Sequence, residues 1–231
     1  MPRPSGLRKC EAIRMNLYFG FGMDRPIINA TDVRGYLEPA KKRQYRDGYS
    51  MAEAAKSWVS AGGFLPRSLA EIVGSNDLNA AHLEYPTRVW GGGTAMTDVM
   101  AFIPDGVIAV EAKVEEPFDD VVSDWIEREA GRNPRSPPHR RKAIRRYAEA
   151  LKVDADSLLG IRYQLLQRTL CASIVAGARG LSGAWMIVQH FPRGTAGEKV
   201  TNRSDFEAFV ELVGKVPVIQ GVRVRLAWAS G

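Results

Sequence analysis

The stretch TDVMAFIPDGVIAVEAKV, Thr97 through Val114, decides the fold. Two apolar runs, Thr97 to Ile103 and Val107 to Val114, flank Pro104-Asp105-Gly106, residues that a tight hairpin turn uses. With Asp105-Gly106 as the two-residue turn, Phe102 faces Ala109, Met100 faces Glu111 and Asp98 faces Lys113. Side chains alternate along a strand, so Asp98, Glu111 and Lys113 share one face. Opposite residues lie roughly 5 Å apart and diagonal ones about 7–8 Å, a spacing at which two carboxylates can share a divalent cation. Ile108, Val110 and Ala112 are apolar, and so are Val107 and Ala109 on the charged face; a strand apolar on both faces belongs inside a sheet. Charges at the end of such a strand are costly unless they are used. The competing reading is a surface hairpin with a cross-strand ion pair, which is worth little. Pro104-Asp105 supplies no second acidic pair, because roughly 20 Å of strand separates Asp105 from Glu111.

Upstream, Ser50 and Glu53 form a capping box, and a helix is expected over 50–60, stopped by Gly62-Gly63. A short helix follows from Ser68 to Gly74, then a loop at 75–81 and a strand from Glu84 to Trp90. Gly91-Gly92-Gly93 closes that strand; no Gly-Lys-Ser/Thr follows, so it is not a phosphate-binding loop. Downstream, a helix is expected over 119–130, a proline-rich loop from Arg132 to Pro138, a basic helix over 139–152 and a longer helix from Leu158 to Ala178. A strand from Ala184 to Phe191, a helix capped by Ser204 and Glu207, and an alternating strand ending at Trp228 complete the chain. The order predicts an α/β fold, a central mixed β-sheet flanked by helices. Residues 31–231 form one domain, with a helical insert at about 115–157. Residues 1–30 read as an N-terminal arm, either flexible or an over-extended gene start.

The chain has 231 residues, 45% of them hydrophobic, and a net charge of +6, which suits a polyanionic partner. Basic residues cluster at 1–14, at 41–46 (Lys41, Lys42, Arg43, Arg46) and at 140–146 (Arg140, Arg141, Lys142, Arg145, Arg146). The last set would contact phosphates from the basic helix; the alternative is a solvated face paired with acids such as Glu149. Two cysteines exclude a disulfide framework and a cysteine-ligated zinc site, and three scattered histidines argue against a histidine-rich one. No serine has convincing His/Asp company, and Trp58, Trp125, Trp185 and Trp228 read as core or interface. The best apolar window, Leu170 to Phe191, is interrupted by Arg179, Gly180 and Gly183, so no membrane span is expected. No small-residue cleavage site follows the first apolar stretch, and the protein is expected in the cytoplasm.

Asp98, twelve residues, then Glu111-Ala112-Lys113 resembles the PD-(D/E)XK nuclease superfamily, with Thr97 in place of the usual proline. That superfamily's restriction-endonuclease-like αβββαβ core matches the expected element order, with an extra C-terminal helix and strand here. A closer resemblance is to an uncharacterised bacterial family of predicted PD-(D/E)XK nuclease-like proteins. It rests on Gly48-Tyr49-Ser50 leading to Trp58, Glu84-Tyr85, Thr97-Asp98-Val99, VEAKVEEPF from Val110 to Phe118 and RYQLLQRT from Arg162 to Thr169, within about residues 35–215. A histidine is usual in that family where Gln167 stands.

The resemblance implies Asp98 and Glu111 as metal ligands, the Ala112 carbonyl as a further one, Lys113 as the catalytic lysine and Glu84 as an additional acid. It implies Mg2+ (or Mn2+), hard ions suited to oxygen donors, and DNA as substrate in genome defence or repair; a homodimer is allowed. Gln164 and Arg168, four apart on one helix face, either line the site or form a polar rim. The alternative function is a binding module of the same fold that cuts nothing.

Overall fold

The computed structural model describes residues 16–42, 45–90, 93–128, 130–131, 133–192 and 201–230. A seven-stranded mixed sheet runs in the order β1-β2-β3-β4-β5-β7-β6. Its strands are β1 (Leu17–Phe19), β2 (Ala80–Arg88), β3 (Thr94–Ile103), β4 (Gly106–Lys113), β5 (Gly183–His190), β6 (Val218–Ile219) and β7 (Val222–Ser230). One face carries α1 (Ala30–Tyr36), α2 (Pro39–Lys42), α3 (Ser50–Ser60) and α4 (Arg67–Val73). The other carries α5 (Val122–Glu127), α6 (Ser136–Leu151), α7 (Tyr163–Ala178) and α8 (Thr201–Val213). Strands β2–β3–β4 form an antiparallel meander, and the chain returns through α5–α7 to place β5 parallel to β4. This α/β order, α3-β2-β3-β4-α7-β5, is the one read from the sequence.

Several boundaries differ from expectation. Residues 17–19 of the expected arm pair in parallel with β2, so 16–30 belong to the sheet domain; 1–15 and their basic cluster lie outside the described residues. Ser136-Pro137-Pro138 opens α6 instead of closing a loop, because proline lacks only an N–H that the first helical turn leaves unbonded anyway. The helix expected over 119–130 is shorter, and the one expected from Leu158 splits into a 3-10 turn at Asp156–Leu158 and α7.

The hairpin turn also moves. Ile103 pairs with Gly106 and Met100 with Ala109, so Pro104-Asp105 is the turn. Asp105 does not take the positive φ that an Asp-Gly turn of the expected type would need. Proline at the first central position and glycine closing the turn suit a type I geometry. Gly106 is required for a second reason: a Cβ there would stand 2.5 Å from the Trp185 ring on β5.

Every residue of β4 is buried. Helix α7 lies across β4, β5 and β7 and buries Leu165, Leu166, Leu170, Cys171 and Ala172 completely. Its seat on the sheet positions the polar residues of its other stripe. Leu170→Ala is therefore expected to cost about 2–5 kcal/mol of stability, as for a fully buried leucine whose site cannot collapse; urea unfolding followed by far-UV circular dichroism measures it.

Candidate functional site

Strands β2 and β3 break their alternation at one level. Ala81 and Leu83 face the α1–α4 side, yet Tyr85 and Val89, of the same parity, face the α5–α8 side. On β3, Val99, Ala101 and Ile103 face the first side while Ala95 faces the second. The Thr87 and Thr97 hydroxyls accordingly lie buried on the side of α7, near Cys171, with no hydrogen-bond partner among the described residues. The inversion falls at Glu84 and Asp98, which lie between the pairs Leu83–Val99 and Tyr85–Thr97. Glu84 carries it with φ at 54°, a left-handed conformation that costs a non-glycine residue on the order of 1–3 kcal/mol and is most often met at functional sites.

At the same level β3 and β4 part. Their ladder ends at Val99–Val110, and the Ala112 N–H donates to Asp98 Oδ2 at 2.8 Å. The expected pairing of Asp98 with Lys113 is thus corrected: one step beyond the last pair, Asp98 is level with Glu111. A two-residue shift preserves side-chain parity, so Asp98 remains on the face of Glu111 and Lys113.

Glu111 is 1% exposed and Lys113 4%. The Glu111 carboxylate accepts from Lys113 Nζ at 2.9 Å and from Arg168 Nε at 2.7 Å, one on each oxygen. Gln164 Oε1 accepts from Lys113 Nζ at 3.0 Å and from the Asp119 N–H at 2.8 Å, which fixes the lysine from the α7 side. The structure therefore brings Gln164 and Arg168 into the site; they are not a rim. Glu84 is buried and pairs with Lys41 on α2 at 2.5 Å. Lys41 was visible in sequence as one of a basic cluster, but its carboxylate partner lies 43 residues away.

Burial alone would raise the Glu111 carboxyl, but the charges of Arg168 and Lys113 hold it below its usual range. Burial alone would lower the Lys113 ammonium, but Glu111 and Asp98 raise it, so Lys113 is a proton-bearing cation here. Asp98 is different. Burial, then the Glu111 charge, push its carboxyl up to about 7 against the pull of Arg168 and Lys113. Two carboxylates on adjacent strands thus titrate far apart, a pattern common at catalytic sites.

Among the described residues no three His, Cys, Asp or Glu side chains are already gathered to hold a metal ion. The donor chemistry nevertheless fits a hard divalent cation. Glu84, Asp98 and Glu111 offer oxygen only, and Asp98 has less countercharge than an ionised carboxylate needs. An ion there would compete with Lys113 and Arg168 for Glu111.

On α6, Arg140 donates to the Trp125 carbonyl and Arg141 pairs with Glu127 at 2.6 Å, so these two are engaged within the fold. Lys142, Arg145 and Arg146 are exposed. Trp58 donates to Gln189 at 3.2 Å inside the core, as a structural tryptophan should.

A family model described as a domain of unknown function (DUF6946) matches residues 26–231, and the chain belongs to that family. No curated protein matches the chain, and neither does any solved structure.

The Asp98 shift has a measurable consequence in metal-free buffer. Its folded pKa of about 7 exceeds the ordinary 3.8, so the folded state keeps a proton that the unfolded chain releases. Through this group, stability is fully present below about pH 4 and falls as pH rises to about 7. Asp98→Asn keeps an oxygen for the Ala112 N–H and removes that slope. The variant should match wild type at pH 4 and exceed it at pH 8, by an amount of order a few kcal/mol. Urea midpoints across pH 4–8 decide this; parallel curves for the two proteins would refute it.

Proposed function

We propose that this protein is a Mg2+- or Mn2+-dependent nuclease of PD-(D/E)XK type that hydrolyses phosphodiester bonds of DNA in the cytoplasm. One observation carries the reading. Glu84, Asp98 and Glu111 stand level on three adjacent strands, where β3 and β4 part, and Lys113 is bonded to the last of them. An ordinary core would not place three carboxylates, one of them on a strained glutamate, at one level of its central strands.

Asp98 and Glu111, with Glu84 and the Ala112 carbonyl as further oxygen donors, would hold the divalent ion, which supplies charge neutralisation and a nucleophilic hydroxide. The rest is the work of the chain's own side chains. Lys113, held as an ammonium, hydrogen-bonds a phosphate oxygen and stabilises the charge that develops there. Its ammonium is raised by Glu111 and Asp98, which accords with that role. Gln164 keeps Lys113 aimed, and Arg168 holds Glu111 ionised. Exposed Lys142, Arg145 and Arg146 contact the phosphate backbone, each contact steepening the salt dependence of binding. Arg140 and Arg141 contribute less directly, being engaged with Trp125 and Glu127. A genome-defence or repair role accords with such an activity.

A second reading has its own support. Both Glu111 oxygens are already satisfied by cations of the chain, as a catalytically silent DNA- or partner-binding module would also have them.

Incubation of linear and circular DNA with Mg2+ or Mn2+ separates the two. Wild type should cut, and Asp98→Ala and Lys113→Ala should each lower the rate by about 100-fold or more. DNA binding without cutting under either metal would establish the silent module instead.

A further inference from the structure

A cavity of about 330 Å³ opens beside the ionic centre, between α6, α7 and the end of β2. Trp90, Trp125, Tyr147 and Tyr163 wall it, and His139 and Gln167 supply polar edges. Its size is at the small end of ligand sites, which run to roughly 300–1,000 Å³, and suits one planar ring system. The Trp125 and Tyr163 rings stack at 3.9 Å with planes 11° apart, and the Arg140 guanidinium lies over Trp125 at 4.8 Å, so an entering base would take the guanidinium's place over Trp125.

Gln167 joins this cavity to the ionic centre. Its Nε2 donates to the Tyr163 hydroxyl at 3.1 Å, and its Oε1 accepts from Arg168 Nη1 at 3.0 Å. The same guanidinium donates through Nε to Glu111 at 2.7 Å. One side chain therefore touches both the carboxylate centre and the polar edge of the cavity. On α6, Lys142 and Arg146 follow His139 at three and seven residues, one stripe of the helix leading from the cavity mouth.

We infer that this cavity takes a single unpaired nucleobase of a DNA strand whose backbone crosses the Glu111–Lys113 centre. Flat aromatic and guanidinium surfaces bind bases of any sequence by stacking, and a flanking cationic stripe tracks the phosphates. The inference deepens the nuclease reading and rests on it: it assigns a substrate with locally unpaired bases, since a base must leave the duplex stack before it can enter a cavity walled by aromatic rings.

The test uses the full chain in EDTA, where no metal-dependent cutting occurs. Fluorescence anisotropy compares a labelled ten-residue deoxyadenylate strand with an abasic strand of the same phosphate number. Wild type should bind the base-bearing strand about tenfold more tightly, the scale of one stacked base. Trp125→Ala should abolish that preference while leaving abasic binding unchanged, and Trp125→Phe should restore most of it. Trp90→Ala gives the same reading should Trp125→Ala fail to fold by circular dichroism. Equal affinity of wild type for the two strands, no binding of either, or a preference that survives both alanine variants would overturn the inference. Cutting is scored separately: base-selective binding without Mg2+-dependent cleavage leaves the cavity assignment standing and removes the nuclease reading. Cleavage with no base preference does the reverse.

Discussion

The Glu111 carboxylate lies on a strand buried along its whole length, with Lys113 on one oxygen and Arg168 on the other. Withdrawing such charges from water costs several kcal/mol per ion, and only close, well-directed partners offset it. The rest of the architecture follows from meeting that condition. Arg168 reaches Glu111 only because the leucines of α7 seat that helix on β4 and β5. Lys113 keeps its direction only because Gln164, one helical turn before Arg168, bonds both it and the Asp119 N–H. Asp98 is left outside this compensation, with a strand N–H as its bond and a carboxyl pushed up to about 7. A well-satisfied carboxylate thus stands beside a poorly satisfied one.

Most of the fold was legible in the amino-acid sequence because periodicity reports burial. The uninterrupted apolar run from Val107 to Val110 announced an interior strand, and every residue of β4 is buried. The Pro-Asp-Gly triplet announced a hairpin, but which two residues form the turn depends on features the triplet does not contain. Gly106 must lie flat against Trp185, a residue 79 positions later on a strand that joins by parallel pairing. The short strands β1 and β6 were not legible for a related reason. Each has two or three residues and little pattern of its own, and each exists because a longer neighbour offers an open edge.

The candidate site was legible where parity protected it. An error of two residues in register leaves Asp98 on the face of Glu111 and Lys113, so the grouping survived while the level of Asp98 did not. The inversion at Glu84 had no signature, since nothing in the residue type of a glutamate marks a positive φ. Arg168 could be placed on the same helix face as Gln164 by spacing, but whether that face met the sheet's charges or solvent depended on the docking angle of α7. The Glu84–Lys41 pair joins a four-residue helix to a strand across the sheet, a contact no local rule reaches.

Arg168 also bears on how the two halves of the proposed site communicate. Its guanidinium divides between Glu111 and Gln167, and Gln167 divides between Arg168 and Tyr163. Under the proposed function, ligation of Glu111 to a divalent ion would compete with Lys113 and Arg168 for its two oxygens. Arg168 then has a stronger claim on Gln167, whose amide forms the polar edge of the aromatic cavity. Occupation of that edge by a base would conversely compete for Gln167 and return Arg168 to Glu111. Coupling between two binding events is reciprocal by thermodynamic necessity, so metal and base would each shift the other's affinity by one common factor. The sign follows from the shared guanidinium: where base and metal make opposing demands on Arg168, each weakens the other. A nuclease built this way holds its base most firmly before the ion is seated and releases the strand more readily once it is.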